Sequence, residues 1–63
     1  MQPHQQRVAD EKAELDDKLG KLKAFHSSQL FAGLDEAERE RLHRQAEVMD
    51  EYSRILGARI SAF

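Results

Sequence analysis

The sequence predicts an all-α fold: two long amphipathic helices in an antiparallel hairpin, joined by a short connector helix and assembled into a homo-oligomer. Three observations carry that reading. Apolar residues recur at steps of three and four along both halves of the chain, which is helical spacing. Turn-forming residues gather in one central stretch, from His26 to Asp35. The chain has 63 residues and no cysteine. A chain of that length buries only about 60% of the surface its unfolded form exposes. Small scaffolds compensate with disulfides, metals or self-association, and without cysteine the disulfides and thiolate zinc sites are excluded. Self-association remains, and residues 1–63 read as one hairpin domain.

Helix one is expected at about residues 4–26. Pro3 suits its first turn, where the missing N–H would be unpaired anyway. Val8, Leu15, Leu19, Leu22 and Phe25 share one face. Lys12 interrupts that stripe, and the expectation is a buried stem with the ammonium snorkelling outward. Gly20 reads as a neutral surface position, with a slight bend or a close ligand approach as alternatives. A connector helix near 28–32 follows, capped by Ser27 or Ser28, with Gly33 in the left-handed position after it.

Helix two is expected at about 35–62. Asp35 with Glu38 three residues on resembles a capping box, and the acidic cluster Asp35, Glu36, Glu38 favours a helix N-terminus. Leu42, Ala46, Met49, Ser53, Leu56, Ile60 and Phe63 follow alternating steps of four and three, a coiled-coil seam. Val48, Tyr52, Ile55 and Ala62 widen it sideways, beyond what one partner helix covers. Ser53, Gly57 and Ser61 form a strip of small residues that either admits another backbone or is a tolerated surface glycine between two exposed serines. Glu14–Lys18, Asp17–Lys21, Glu40–Arg44 and Asp50–Arg54 are i,i+4 pairs, each worth about 0.2–0.5 kcal/mol.

Several function classes fall away. Ten basic and twelve acidic residues give a formal charge of −2, with no block of like charges. A general DNA or RNA binder shows a basic face instead. No apolar run approaches the roughly 18 residues a membrane span needs. The opening Met-Gln-Pro-His lacks the basic and apolar regions of a secretory signal, and the lack of cysteine fits the cytoplasm. His4, His26 and His43 are never three or four residues apart, so they read as exposed or capping residues rather than metal ligands. Ser27, Ser28, Ser53 and Ser61 lie in no G-x-S-x-G turn. Asp16-Asp17 and Glu36-Glu38-Glu40 read as solvated faces. No catalytic residue, metal or cofactor is therefore expected, and the chain reads as a binding protein rather than an enzyme.

Arg7, Lys18, Lys21 and Arg59 lie toward the first half of helix one and the end of helix two, regions an antiparallel hairpin brings close. A cation in a cleft between protomers makes an anion site, because symmetry doubles it and partial burial strengthens it. Arg59 stands beside the apolar seam, between Leu56 and Ile60. It is either such a cation or an arginine whose stem packs while its head reaches water or Glu11.

The residues themselves resemble a known group. His4-Gln5-Gln6-Arg7-Val8, the run from Asp10-Glu11-Lys12 through Leu19-x-Lys21-Leu22, and Phe25 are similar to the opening of a family of small phage-encoded helical proteins. Leu42, Gln45, Met49, Glu51-Tyr52-Ser53, Ile55-Leu56-Gly57, Arg59-Ile60 and Phe63 resemble that family's closing helix. Its members include anti-CBASS sponges, which counter a bacterial anti-phage system signalling through cyclic di- and trinucleotides. The resemblance implies a compact homo-oligomer, hexameric in such sponges, that works in the cytoplasm of the bacterial host and sequesters the messenger without cleaving it. It also implies pockets between protomers, with an N-terminal ring stacking on a base and a helix-one lysine meeting phosphate. Carried onto this sequence, the stacking position is Pro3 or His4 and the lysine is Lys18. Arg59 matches an arginine used in a separate cyclic-trinucleotide site. The sequence departs from the pattern in having no tyrosine or phenylalanine near its N-terminus.

The alternative is a helical protein–protein interaction module of a phage or bacterial regulator, with no small-molecule ligand. One version is the small sporulation-phosphatase regulators, whose serine–leucine–isoleucine spacing Ser53, Leu56 and Ile60 match. Arg54 and Gly57 replace that signature's glutamine and acidic residue.

Overall fold

Helix α1 spans Pro3–Phe25, with proline in its first turn and the Gln5 Oε1 accepting from the Gln2 backbone N–H at 2.8 Å. That bond occupies a donor the helix ladder leaves free. At the other end, His26, Ser27 and Ser28 bond back to Leu22, Ala24 and Phe25, tightening the last turn. Ser28 then does two jobs. Its hydroxyl donates to the Phe25 carbonyl at 2.7 Å and accepts from the Phe31 N–H at 3.1 Å. It thereby caps α2, Gln29–Ala32. Gly33 is right-handed (φ −83°), not left-handed as expected, because its N–H still bonds to the Gln29 and Leu30 carbonyls and extends the turn.

Helix α3 spans Glu36–Ser61. Asp35 Oδ1 accepts from the Glu38 N–H at 2.8 Å. The Glu38 carboxylate faces Arg41 at 2.9 Å instead of returning to Asp35, so only half of the box forms. Of the expected i,i+4 pairs, Asp17–Lys21 and Asp50–Arg54 are present. Glu14–Lys18 and Glu40–Arg44 are not; Arg44 pairs with Glu47 at 3.3 Å.

The computed structural model describes residues 1–63. The three helices contain no strand between them, and α3 returns antiparallel along α1 to give a body 45 × 14 × 13 Å. The seam runs as its spacing predicts. Val8 and Leu19 from α1 and Ala46, Ser53 and Leu56 from α3 are buried, with Leu15, Leu22, Leu42, Met49 and Ile60 half-buried between them. Leu56 is 0% exposed and is the one large side chain fully enclosed. It therefore belongs to the core inside the chain, not to a surface that meets another molecule. Phe63 leaves the seam and is 48% exposed.

One polar layer crosses the seam. Lys12 Nζ donates to Asp16 Oδ2 at 2.8 Å and to Ser53 Oγ at 2.9 Å, and the Ser53 hydroxyl donates to Asp16 Oδ1. Lys12 does not snorkel outward. The small Ser53 leaves space for the ammonium, and Gly57 leaves space for the stem: a Cβ on Gly57 would stand 3.4 Å from Lys12 Cε. The strip of small residues thus admits a side chain of the same molecule. Beside Gly20 there is nothing within 4 Å, so it is the neutral surface position.

The turn end is closed by rings. Phe31 is buried, edge-on to Phe25 (5.9 Å between centroids) and to His43 (5.3 Å), and packs on His26 (4.8 Å). His26 and His43 stand 4.6 Å apart. His26 is half-buried, with no hydrogen-bond partner on Nε2, so it packs as a ring rather than serving as an exposed residue.

Candidate ligand-binding site

The six residues singled out by sequence fall into two groups. Pro3, His4 and Arg7 occupy the first turns of α1, and all three are exposed. Arg59 is exposed near the end of α3, one turn before Phe63. The His4 and Phe63 rings meet edge to face, 6.5 Å apart at 73°. Because Lys12 lies against Gly57 and His4 against Phe63, Arg59 is level with about Val8–Asp10, two turns into α1. The open end of the hairpin therefore holds two rings in contact, with Arg7 and Arg59 each about one turn away along its own helix, and neither arginine forms an ion pair within the chain.

Lys18 and Lys21 are not part of that group. At about 1.5 Å per residue, Lys18 lies roughly 21 Å along α1 from His4. Both lysines are exposed, and Lys21 is held by Asp17 at 3.0 Å. The expected convergence of these lysines with Arg59 does not occur within one hairpin. Nor does Glu11 take the Arg59 head: its carboxylate accepts from the Tyr52 hydroxyl.

Phe63 is the ring that its spacing did not place at the open end, beside His4. It looked like the last rung of the core seam. Pairing the two ends of the chain on paper puts it next to His4, and that signal was available.

Ser53 is the only serine with an adjacent lysine and carboxylate. Its proton is directed at Asp16 and its lone pair accepts from Lys12, so both of its hydrogen-bonding roles are filled within the chain. Asp16 is held below the usual aspartate range by its hydrogen bond from Lys12, then by that from Ser53, with burial opposing and the Lys12 charge assisting. The layer ties α1 to α3.

Two concavities mark the surface. One, about 490 Å³, runs along the outward face of α3 and is lined by Arg44, Glu47, Val48, Glu51, Tyr52 and Ile55. The other, about 240 Å³, lies by Lys23, His26, His43 and Asp50 near the turn. No helix is long and apolar enough to cross a membrane.

Among known families, the model of one, described as Sequestin, matches residues 2–62. No curated protein and no solved structure matches the chain.

Proposed function

Since the chain belongs to the Sequestin family, we propose that it binds a small nucleotide messenger and sequesters it without cleaving it. The family match over residues 2–62 carries this reading, because the family's name denotes sequestration. Two features of the chain support it. The one serine beside a lysine and a carboxylate is locked in the seam, and the open end presents rings beside unpaired arginines. A nucleotide offers the complement, a flat base for stacking and phosphates for charge-assisted hydrogen bonds.

The finer reading is a phage immune-evasion protein for cyclic di- or trinucleotides in the host cytoplasm, with residues 1–63 acting as one hairpin domain within a homo-oligomer. Pro3 or His4 stacks on a base, Arg7 and Arg59 meet phosphate at the open end, and Lys18 and Lys21 do so along α1. Because Lys18 lies far from His4 on one chain, a pocket using both draws them from two protomers.

The test is titration calorimetry against cyclic dinucleotides and cyclic trinucleotides, with recovery of ligand after heat denaturation. Micromolar or tighter binding with intact ligand recovered is the expected result. A charge-assisted hydrogen bond to phosphate contributes about 1.5–3 kcal/mol. Lys18→Ala therefore weakens binding of a cyclic dinucleotide by roughly one to two orders of magnitude. Ligand recovered hydrolysed in proportion to protein would show catalysis. Failure to bind any of the panel would leave the interaction module as the better reading.

A further inference from the structure

Tyr52 is the single tyrosine of a chain without tryptophan. Its ring is 42% exposed and pairs with no other ring. Its tip is tied to α1, because the hydroxyl donates to the Glu11 carboxylate. Helical spacing places this ring on the same side of the hairpin as the residues of the open end. On α1, His4, Arg7 and Glu11 are three and four residues apart, so they share a face. On α3, Tyr52, Arg59 and Phe63 are seven and four residues apart and share a face in the same way. Two contacts join these faces across the hairpin: His4 meets Phe63 at the mouth, and Glu11 meets Tyr52 about two turns further in. The order along this side is therefore a ring pair, then Arg7 and Arg59, then the Tyr52 ring.

We propose that Tyr52 is a second stacking platform, so that a single chain holds both bases of a dinucleotide. One base lies on the His4–Phe63 pair and the other on Tyr52, with the phosphates between them on Arg7 and Arg59. This rests on the nucleotide reading above, and adds to it a residue and an arrangement that need no second protomer. His4 and Glu11 are seven residues apart, so about 10 Å of helix separates the two platforms. A mononucleotide, with one base, fills only one of them. Charge agrees with the placement. Neither arginine is engaged in an ion pair within the chain, and the carboxylate next along from Arg7, that of Glu11, accepts from the phenol instead. A ring already held by a hydrogen bond loses little further freedom when a base covers it, which favours binding.

The lone tyrosine makes a direct test available, because all tyrosine emission comes from this ring. The wild-type chain is titrated with a cyclic dinucleotide and with the mononucleotide of the same base. Calorimetry gives the affinities, and tyrosine fluorescence, corrected for ligand absorption, reports on the ring. The cyclic dinucleotide is expected to bind roughly tenfold or more tighter than the mononucleotide and to quench the emission at saturation. Tyr52→Ala lowers the dinucleotide affinity roughly tenfold or more. Tyr52→Phe, which keeps the ring and loses only the hydroxyl, lowers it far less. Far-UV circular dichroism keeps its helical signal in both, because the ring lies outside the buried core. A dinucleotide that binds without changing the emission, or that binds wild type and Tyr52→Ala equally, would overturn the second platform and leave sequestration standing. A wild-type chain that binds no cyclic nucleotide would overturn both.

Discussion

The two ends of the hairpin are built from the same kinds of residue and do opposite things. At the turn, Phe25, His26, Phe31 and His43 pack ring on ring, and Phe31 is buried among them. At the open end a single pair, His4 and Phe63, meets edge to face with both rings exposed. Rings with several ring neighbours hold a fold together. A ring pair with one contact each and free arginines nearby has faces left for a ligand. The contrast separates a closed ring cluster at the turn from an open ring pair where the proposed ligand would stack.

Four changes test that separation. Phe31→Ala removes the keystone of the turn end and lowers stability by about 3–5 kcal/mol, the usual cost of truncating a buried phenylalanine. Chemical denaturation measures it, and a loss below 1 kcal/mol would mean that the rings merely decorate the turn. Phe63→Ala at the other end costs at most about 1.5 kcal/mol of stability, since an aromatic pair is worth about 0.5–1.5 kcal/mol. It weakens nucleotide binding roughly tenfold or more if a base stacks there, given about 1–3 kcal/mol per stacked base. Equal affinity in variant and wild type would remove the open end from the site. Gly20→Ala, far from both ends with open space around it, raises stability by about 0.5–1 kcal/mol through helix propensity. A fall in melting temperature would show a contact at that position.

The smallest effect is acid-dependent. Lys12 and Ser53 hold the Asp16 carboxyl below its ordinary value. A lowered folded pKa means the contribution is complete above the unfolded value, near 3.9. It fades as pH falls through the lower folded one. Helicity followed from pH 6 to pH 2 therefore declines somewhat more in the wild type than in Asp16→Asn below about pH 4. Parallel curves would leave the polar layer without an energetic role.

Much of the fold was legible in the residues. Pro3, Ser28 and Asp35 marked the helix starts, and the steps of three and four from Leu42 to Ile60 named the buried side of α3. Those signals are local: each helix declares its own apolar face. What a helix cannot declare is the axial register of its partner. The direction taken by Lys12 depended on Ser53 and Gly57, 41 and 45 residues away, and so was misread. The same ignorance of register set Lys18 beside Arg59 when about ten residues of helix separate their levels. It also hid Phe63 from His4. Gly33 failed for another reason: a helix followed at once by a further turn has no need of a left-handed stop.

The layer of Lys12, Asp16 and Ser53 has a consequence at the far end of the molecule. The apolar seam repeats every seven residues, so sliding α3 by seven against α1 matches one apolar side chain to another almost everywhere. Only here does the slip lose a polar contact, because Lys12 would face Ala46 or Ile60 and, though still paired with Asp16 of its own helix, would lose the Ser53 hydroxyl. The slip thus trades a hydrogen bond across the seam for apolar neighbours beside a charged group, which disfavours it. The same slip would draw His4 about 10 Å away from Phe63. A single serine in the middle of α3 thus acts as an index mark, setting the phase at which two rings more than a dozen ångströms away come to share one mouth.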